Sequence, residues 1–213
     1  EIIEYPAISL VVSGGHTSLF LTHSETNYES VGGTIDDAAG EAFDKVGKIL
    51  GLDYPAGPEI DTISQKGNEK AIRFPRSYLK KGSLDFSFSG LKTAVLYHCM
   101  GQDSRNTPEI SKLTDQEIAD IAASFQEAVV DVLVDKTIFA ATKFSTKSII
   151  IGGGVACNSR LRQRLTDAAK RRDIPLFYPS KKLCMDNAAM VAGLAFHKYR
   201  EKKFSRLDVE AMP

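Results

Sequence analysis

The 213-residue sequence contains no tryptophan and only three cysteines, Cys99, Cys157 and Cys184. Three widely spaced cysteines do not form the disulfide framework of a small secreted domain, and without a C-x-x-C pair they do not predict structural zinc. No apolar run reaches the roughly 20 residues of a membrane-spanning helix, and the first residues lack the pattern of a cleavable signal peptide. We therefore expect a soluble, cytoplasmic protein whose cysteines stay reduced.

An excess of charge of either sign is also missing, because 27 Lys and Arg residues balance 27 Asp and Glu residues. The overall charge therefore neither attracts nor repels nucleic acid, and a polyanion site has to be a local patch. Basic clusters that could supply such a patch lie at 160–164, 170–172 and 198–206. Solvated helix faces explain most clusters of this kind, so these alone do not indicate a nucleic-acid partner.

What the sequence does contain is an ordered succession of strand and helix patterns. Alternating apolar residues predict strands at 7–12, 17–22 and 28–35, and apolar residues at helical spacing predict a helix over 35–50. The last third predicts strand, helix, strand and helix at 148–151, 158–172, 175–178 and 186–199. Alternation of this length is typical of parallel βαβ units.

The stretch from about 53 to 145 differs from both flanking regions and predicts a mainly helical insertion. A helix is expected at 91–100, and Thr114 and Glu117 have the spacing of a capping box at the start of a second, long helix. The β-β-β-α-β-α-β-α order with this insertion predicts an α/β fold with a mixed sheet. It resembles one lobe of the actin, Hsp70 and sugar-kinase (ASKHA) superfamily, and we expect residues 1–213 to form a single lobe.

Two glycine turns mark places where the chain could hold a phosphate. Ser13-Gly14-Gly15 separates the first two predicted strands, and Gly152-Gly153-Gly154 separates a predicted strand from a helix. Glycine lets backbone N–H groups approach a ligand, and a helix N-terminus attracts anions. A hairpin turn with positive φ is the commoner explanation of the first turn. Close strand–helix packing also explains the second, and Asn158 could simply cap the following helix.

Acidic residues crowd the predicted start of the helix at 35–50, directly after Gly32-Gly33. Acids there stabilise the helix dipole, and the spacing of Glu41 with Lys45 and of Asp44 with Lys48 predicts a solvated, ion-paired face. The two preceding glycines favour a different interpretation, in which the start of the helix is exposed to a ligand.

Asp186 opens the last predicted helix, directly after a strand and a short basic loop. It is either the N-cap of that helix or a free carboxylate at the carboxyl edge of the sheet, where ligands and metals collect. A lone aspartate does not hold a metal well. The four histidines offer it no H-x-x-x-H or H-E-x-x-H pair.

In combination, these motifs resemble those of the TsaD/Gcp family of tRNA threonylcarbamoyladenosine transferases. The matching segments, in the family's order, are 13–17 (SGGHT), 35–45 (IDDAAGEAFDK), 54–58 (YPAGP), 86–92 (FSFSGLK), 152–158 (GGGVACN) and 186–190 (DNAAM). The resemblance extends from about residue 9 to residue 195. It implies that the chain is the family's C-terminal, nucleotide-binding portion and that the family's N-terminal lobe is missing.

The resemblance implies an acyltransferase that moves a threonylcarbamoyl group from its adenylate to the adenosine next to the tRNA anticodon. This chain would supply the nucleotide-binding lobe and is expected to be inactive alone. The implied partners are tRNA, a catalytically weak paralogous subunit and a small ATPase. The residues implied to contact ATP or the adenylate are Val11, Val12, Ser13, Gly14, Gly15, Asp44, Gly57 and Asn158.

The resemblance also implies bound iron or zinc, with Asp186 as a ligand. The family's other two protein ligands form an H-x-x-x-H pair upstream of the Ser-Gly-Gly motif, where this sequence has only a few residues. Metal binding is therefore expected to be weak or absent. Two smaller departures are Met185, where a threonine is expected, and Ala56, where the family commonly has a second glycine.

Three alternatives to this interpretation remain open. The chain could be a non-catalytic scaffold that docks the paralogous subunit of the same complex. A metallopeptidase, the historical label of the family, is disfavoured because the H-E-x-x-H helix is missing. A sugar or acetate kinase agrees with the fold alone, but those enzymes lack the 35–45 pattern, and fold is a poor guide to function.

Overall fold

The computed structural model describes residues 2–100, 113–206 and 208–209. A five-stranded sheet has the strand order β3-β2-β1-β4-β5. Strands β1 (Ala7–Val12), β2 (Thr17–Thr22) and β3 (Tyr28–Gly33) form an antiparallel meander. Strand β4 (Ser148–Gly152) pairs parallel to β1, and β5 (Leu176–Phe177) pairs parallel to β4. The sheet is therefore mixed, which confirms the predicted α/β fold.

Six α-helices accompany the sheet in the described residues, and two short 3-10 helices, at Gly154–Cys157 and Lys181–Leu183, were not predicted. The α-helices are α1 (Ala39–Ile49), α2 (Gly57–Ser64), α3 (Ser89–Met100), α4 (Asp115–Lys143), α5 (Ser159–Lys170) and α6 (Ala188–Arg200). None of these helices is both long and apolar enough to cross a membrane. Helices α2, α3 and α4 fall within the predicted insertion, of which 101–112 lies outside the described residues.

The long helix α4 runs through the core. It begins with the predicted capping box, in which the Thr114 hydroxyl accepts from the Glu117 N–H and the Glu117 carboxylate accepts from the Thr114 N–H. Its residues are buried on several faces because α2, α5 and β1 all contact it. Phe125 meets Phe43 of α1 edge to face, with 5.1 Å between ring centroids. Burial of this helix joins the sheet to α1, α2, α3 and α5 in one hydrophobic core.

A buried lysine on α4 fixes a segment that has no regular structure. Lys136 is 3% exposed, and its ammonium group donates to the backbone carbonyls of Tyr78, Ser83 and Asp85. Burial lowers the pKa of Lys136, while the carbonyl oxygens satisfy its donors. Lys136 therefore anchors the 78–85 segment to the C-terminal half of α4.

The predicted start of the first helix is wrong by four residues. Helix α1 begins at Ala39, and Ile35, which was assigned to its apolar face, is 66% exposed. The Ile35 N–H donates to the Phe86 carbonyl, and the Thr34 hydroxyl donates to the Asp37 carbonyl. These long-range and local bonds hold the residues before Ala39 outside the helix. Strand β3 accordingly ends at Gly33, two residues before its predicted end.

Close packing of α1 on α2 gives a test of this architecture. A Cβ on Gly47 would overlap the methyl group of Ala56. Gly47→Ala should therefore lower the free energy of unfolding by about 1–3 kcal/mol, although alanine is the better helix former. The matched control is Gly193→Ala in α6, where nothing lies within 4 Å of an added Cβ; it should raise stability by about 0.5–1 kcal/mol. Urea denaturation measures both, and an undiminished stability of Gly47→Ala would contradict the α1–α2 contact.

Candidate functional site

A cleft of about 490 Å³ opens where the neighbouring parallel strands β1 and β4 end. Its walls come from the β1–β2 turn, α1, the beginning of α2, the 3-10 helix after β4 and the segment before α6. The carboxyl ends of parallel strands are the usual place for ligands in α/β proteins. The residues that line the cleft are Gly14, Gly40, Phe43, Asp44, Tyr54, Pro55, Gly57, Pro58, Asp61, Thr62, Gly154, Val155, Cys157, Asn158, Lys181 and Met185.

Three of the lining glycines, Gly14, Gly57 and Gly154, have no packing reason to be glycine. Nothing lies within 4 Å of the position that a Cβ would take on any of them. None of the three has a positive φ, so a hairpin turn that requires one does not explain Gly14. Without side chains at these positions, the backbone at the cleft wall is open to a ligand.

Gly153, between β4 and the 3-10 helix, is a glycine for a different reason. Its φ is 96°, and a Cβ on it would overlap the backbone of Val12. Close packing of the turn after β4 against strand β1 therefore requires glycine here. This contact holds the two turns at the end of the cleft next to each other.

The start of α1 is pressed against the β1–β2 turn. The Gly40 N–H donates to the Ser13 carbonyl at 3.1 Å, and the Ala39 N–H donates to the Thr17 hydroxyl at 2.9 Å. A Cβ on Gly40 would lie 2.6 Å from the Ser13 carbonyl oxygen. The protein itself therefore uses these first two N–H groups, although Gly40 still lines the cleft.

Asp44 lies just beyond this contact and presents a half-buried carboxylate to the cleft. Its Oδ1 accepts from the Ala56 N–H at 2.9 Å, which ties α1 to the beginning of α2. The predicted ion pair between Asp44 and Lys48 is not formed. The predicted pair between Glu41 and Lys45 is confirmed at 2.9 Å, and Lys45 also pairs with Asp37 at 2.6 Å. Among the described residues, the Oδ2 atom of Asp44 has no hydrogen-bond donor.

Asp61, which lies one helical turn after Gly57 on α2, also lines the cleft. Its carboxylate accepts from the Ser159 hydroxyl at 2.7 Å and from the Ser159 N–H at 3.1 Å, at the start of α5. Asp61 was not among the site residues predicted from the sequence. Its four-residue spacing from Gly57, which places the two on one helix face, was the available signal.

Asn158, at the opposite wall of the cleft, is the N-cap of α5. Its Oδ1 accepts from the Leu161 N–H at 2.9 Å, and its Nδ2 donates to Gln126 at 2.6 Å. The capping interpretation of Asn158 is thereby confirmed, although the residue also lines the cleft. Both groups of its amide are used inside the protein, so Asn158 is held rigidly.

The other residues implied by the resemblance do not line the cleft themselves. Val12 is completely buried, Val11 is 38% exposed, and Ser13 and Gly15 belong to the same turn as the lining Gly14. These four residues therefore position the turn at the wall of the cleft.

Asp186 lies outside the cleft, next to the lining residue Met185, and is exposed. It does not cap α6, because Asn187 is the N-cap and accepts from the Met190 N–H at 3.0 Å. The described residues contain no group of three or more His, Cys, Asp or Glu side chains that could hold a metal ion.

A second cluster, outside the cleft, joins two of the sequence motifs. The Asp36 carboxylate accepts from the hydroxyls of Ser87 and Ser89, at 2.6 and 2.7 Å, and from the Phe88 N–H at 2.8 Å. Partial burial alone would raise the pKa of Asp36, but these hydrogen bonds outweigh burial and hold the pKa below its ordinary value. Asp36 thereby fixes the segment before α1 to the beginning of α3.

The sequence model of the TsaD family, described as tRNA N6-adenosine threonylcarbamoyltransferase, matches residues 1–193. The chain belongs to this family. It is 49% identical to the tRNA N6-adenosine threonylcarbamoyltransferase of Moorella thermoacetica over 98% of the chain. It is 47% identical to that of Kosmotoga olearia over 99% of the chain. The TsaD-family chain spans 59% and 60% of the lengths of these two relatives.

Solved structures agree with the fold of this TsaD-family chain. A full-length HypF in the phosphate- and nucleotide-bound form has a TM-score of 0.67 at 12% identity, covering 93% of the chain and 41% of the HypF chain. A HypF from T. kodakarensis has a TM-score of 0.53 at 17% identity, covering 84% and 22%. Identities this low show the fold alone, and they agree with the predicted α/β fold with a mixed sheet.

The Asp36 cluster predicts how the stability of this TsaD-family chain responds to acid. A folded-state pKa below the ordinary value means that the carboxylate stabilises the fold above pH about 4 and that this contribution is lost as the pH falls. Asp36→Asn should lower the free energy of unfolding at pH 7 by about 1 kcal/mol, as for a lost helix cap. The difference from wild type should shrink toward pH 3, measured by urea denaturation across the range.

The control for this prediction is Asp167→Asn, which changes an exposed carboxylate of α5 that accepts no hydrogen bond from the described residues. It should leave stability nearly unchanged at neutral pH. A deficit in Asp36→Asn that is equal at acid and neutral pH would show that the pKa of Asp36 is not lowered.

Proposed function

We propose that this chain is the nucleotide-binding part of a tRNA threonylcarbamoyl transferase. The reaction moves a threonylcarbamoyl group from its adenylate to the adenosine next to the tRNA anticodon, in keeping with the family name. The observation that carries the proposal is the set of three glycines, Gly14, Gly57 and Gly154, that open the wall of one cleft without any packing reason. Such open backbone suits the phosphate of an adenylate or of ATP.

The phosphate is assigned to the two turns that follow β1 and β4. Gly14 and Gly154 belong to these turns, and the open space around both lets backbone N–H groups approach an anion. Val11, Val12, Ser13 and Gly15 place the first turn, and Lys181 adds a positive charge to the wall. The cleft volume of about 490 Å³ lies in the range of pockets for ligands of this size.

The ribose is assigned to the carboxylate side of the cleft. The free Oδ2 atom of Asp44 is an acceptor for a ribose hydroxyl, since Oδ1 is already bonded to the Ala56 N–H. Asp61 and Gly57 border the same side, and Asn158 closes the wall opposite. A HypF of the same fold was solved with phosphate and nucleotide bound, which supports a nucleotide ligand for this lobe.

Iron or zinc, which the family resemblance implies, does not fit the described residues alone. Asp186 is exposed and has no further His, Cys, Asp or Glu residues grouped with it into a metal site. One carboxylate is too few ligands for either metal. We keep Asp186 as one proposed ligand of a metal. The roles proposed for the cleft residues do not depend on a bound metal.

We assign tRNA, a catalytically weak paralogous subunit and a small ATPase as partners, and a cytoplasmic location, on the strength of the proposed reaction. The basic cluster at 160–164 is a poor candidate for tRNA contact, because Arg160 pairs with Glu127 at 2.6 Å and Arg164 pairs with Asp131 at 2.9 Å. The cluster at 170–172 is exposed and forms no ion pair with the described residues. It is the better candidate for contact with a phosphate backbone.

Calorimetry with ATP and with AMP tests the assigned site. Asp44→Ala should weaken binding about tenfold to hundredfold, because it removes an acceptor of charge-assisted hydrogen bonds. The matched control is Glu59→Ala, since Glu59 is an exposed acid near the same cleft that does not line it. Binding that is equal in wild type and Asp44→Ala, or absent from both, would leave the scaffold role as the better description.

Alanine at the open glycines separates a role in ligand binding from a role in folding. Gly14→Ala and Gly154→Ala should leave the free energy of unfolding within about 0.5 kcal/mol of wild type, because an added Cβ meets nothing. Both should reduce affinity for ATP, since the methyl group enters the space assigned to the phosphate. Gly90→Ala, equally open but outside the cleft, is the control for affinity. Full affinity in both cleft variants would contradict the assignment.

A further inference from the structure

The structure brings together two cysteines that are far apart in the sequence. The Cys157 thiol donates to the Lys181 carbonyl oxygen at 3.6 Å, and the Cys184 backbone N–H donates to the same oxygen at 3.4 Å. The Cys157 side chain and the Cys184 backbone therefore meet at one carbonyl oxygen. A pair of thiols in this relation is a candidate for disulfide chemistry, which their spacing in the sequence did not indicate.

One arginine holds both cysteine-bearing segments in place. Arg162 of α5 donates through Nε to the Ala156 carbonyl at 2.6 Å, next to Cys157. Its terminal nitrogen donates to the Pro179 carbonyl at 3.0 Å and to the Cys184 sulfur at 3.2 Å. The end of the 3-10 helix after β4 and the segment before α6 are therefore clamped by the same guanidinium group.

The two thiols differ in their access to solvent. Cys157 lines the cleft and is half-buried, whereas Cys184 is only 6% exposed. A small oxidant that enters the cleft therefore meets Cys157 first, with Cys184 behind it. Burial raises the pKa of the Cys157 thiol, so this residue is protonated at neutral pH.

We propose that Cys157 and Cys184 are a redox-modifiable dithiol that a hydroperoxide converts into an intramolecular disulfide at the wall of the cleft. The Cys157 sulfur attacks one peroxide oxygen, the O–O bond breaks, and Cys157 becomes a sulfenic acid while the other oxygen leaves as water or an alcohol. The Cys184 sulfur then attacks the Cys157 sulfur, and the S–O bond breaks. The hydroxide takes the Cys184 proton and leaves as water, so two thiols lose two electrons to one peroxide.

The disulfide would join two walls of the cleft. Gly154 and Asn158 flank Cys157 on one wall, and Lys181 and Met185 flank Cys184 on the other. Oxidation fixes the spacing of these walls and therefore changes the affinity for any ligand between them. A ligand in the cleft in turn covers Cys157 and slows its oxidation, and this second effect rests on the proposed nucleotide binding.

Limited hydrogen peroxide, followed by alkylation of the remaining thiols and mass spectrometry of the 213-residue chain, tests the dithiol. The expected product has lost the mass of two hydrogen atoms, binds one alkyl group at Cys99 and yields a Cys157–Cys184 linked peptide after digestion. Cys157→Ser and Cys184→Ser should lose the linkage completely, and Cys99→Ser should retain it. A linkage through Cys99, a disulfide between two chains, or oxidation without any linkage would overturn the proposal.

A second measurement excludes misfolding as the reason for a lost linkage. In Cys184→Ser, peroxide should leave a sulfenic acid on Cys157 that a 1,3-dione captures, because no second thiol resolves it. Failure to trap Cys157 in this variant, when its circular dichroism matches wild type, would contradict Cys157 as the first site of attack.

Oxidation in the presence of ATP separates the dithiol from the proposed nucleotide site. At an ATP concentration ten times its Kd, formation of the disulfide should slow about tenfold if only the free cleft reacts. Normal disulfide formation without protection by ATP supports the dithiol and counts against the nucleotide site. Protection without any disulfide, seen as slower oxidation of Cys157 alone, supports the site and overturns the dithiol.

Discussion

Parallel pairing of β1 with β4 is the constraint on which the cleft depends. The register places Val11 opposite Gly152, so both strands end together and their following turns lie side by side. The backbone of Val12 approaches Gly153 so closely that no side chain fits there. Without this pairing, the turns would have no fixed relation, because the two strands are separated by most of the chain. The open backbone that we assign to phosphate is thus a consequence of strand register.

The opposite side of the cleft depends on burial of α4. This helix contacts both α2 and α5, and it is long enough to position the two helices from one surface. The Asp61 carboxylate of α2 then reaches Ser159 at the start of α5, and Gln126 of α4 holds the Asn158 amide. Hydrogen bonds between helices therefore fix side chains that already lie at the wall, which limits the reorganisation that a ligand would have to cause.

Local patterns in the sequence predicted the elements that depend on local physics. Strands β1 and β2 have their predicted bounds because alternating apolar residues report directly which face is buried. The capping box at Thr114 is likewise a contact between residues three apart. The start of α1 was predicted wrongly because it is decided by bonds from Phe86 and Thr17, which no local pattern contains.

The candidate site shows the same division between local and long-range contacts. Gly14, Asp44, Gly57 and Asn158 were identified through motifs and do line one cleft. Asp61 was missed, because its four-residue spacing from Gly57 is a weak signal and it belongs to none of the motifs. The proximity of Cys157 and Cys184 was also not predicted. It depends on Arg162 of α5, which contacts both cysteine-bearing segments across the fold. The family resemblance predicted which residues contact a ligand, and the folded structure shows which of them line the cleft.

The three consecutive glycines at the end of β4, Gly152, Gly153 and Gly154, should tolerate substitution unequally in a population of natural or randomised variants. At position 153, both chirality and space exclude every L-amino acid with a side chain, so selection for folding alone is enough to purge all replacements. Positions 152 and 154 meet no such barrier, and as far as folding is concerned they can drift to alanine. Selection against substitution of Gly154 would therefore indicate that the protein binds a ligand at this position.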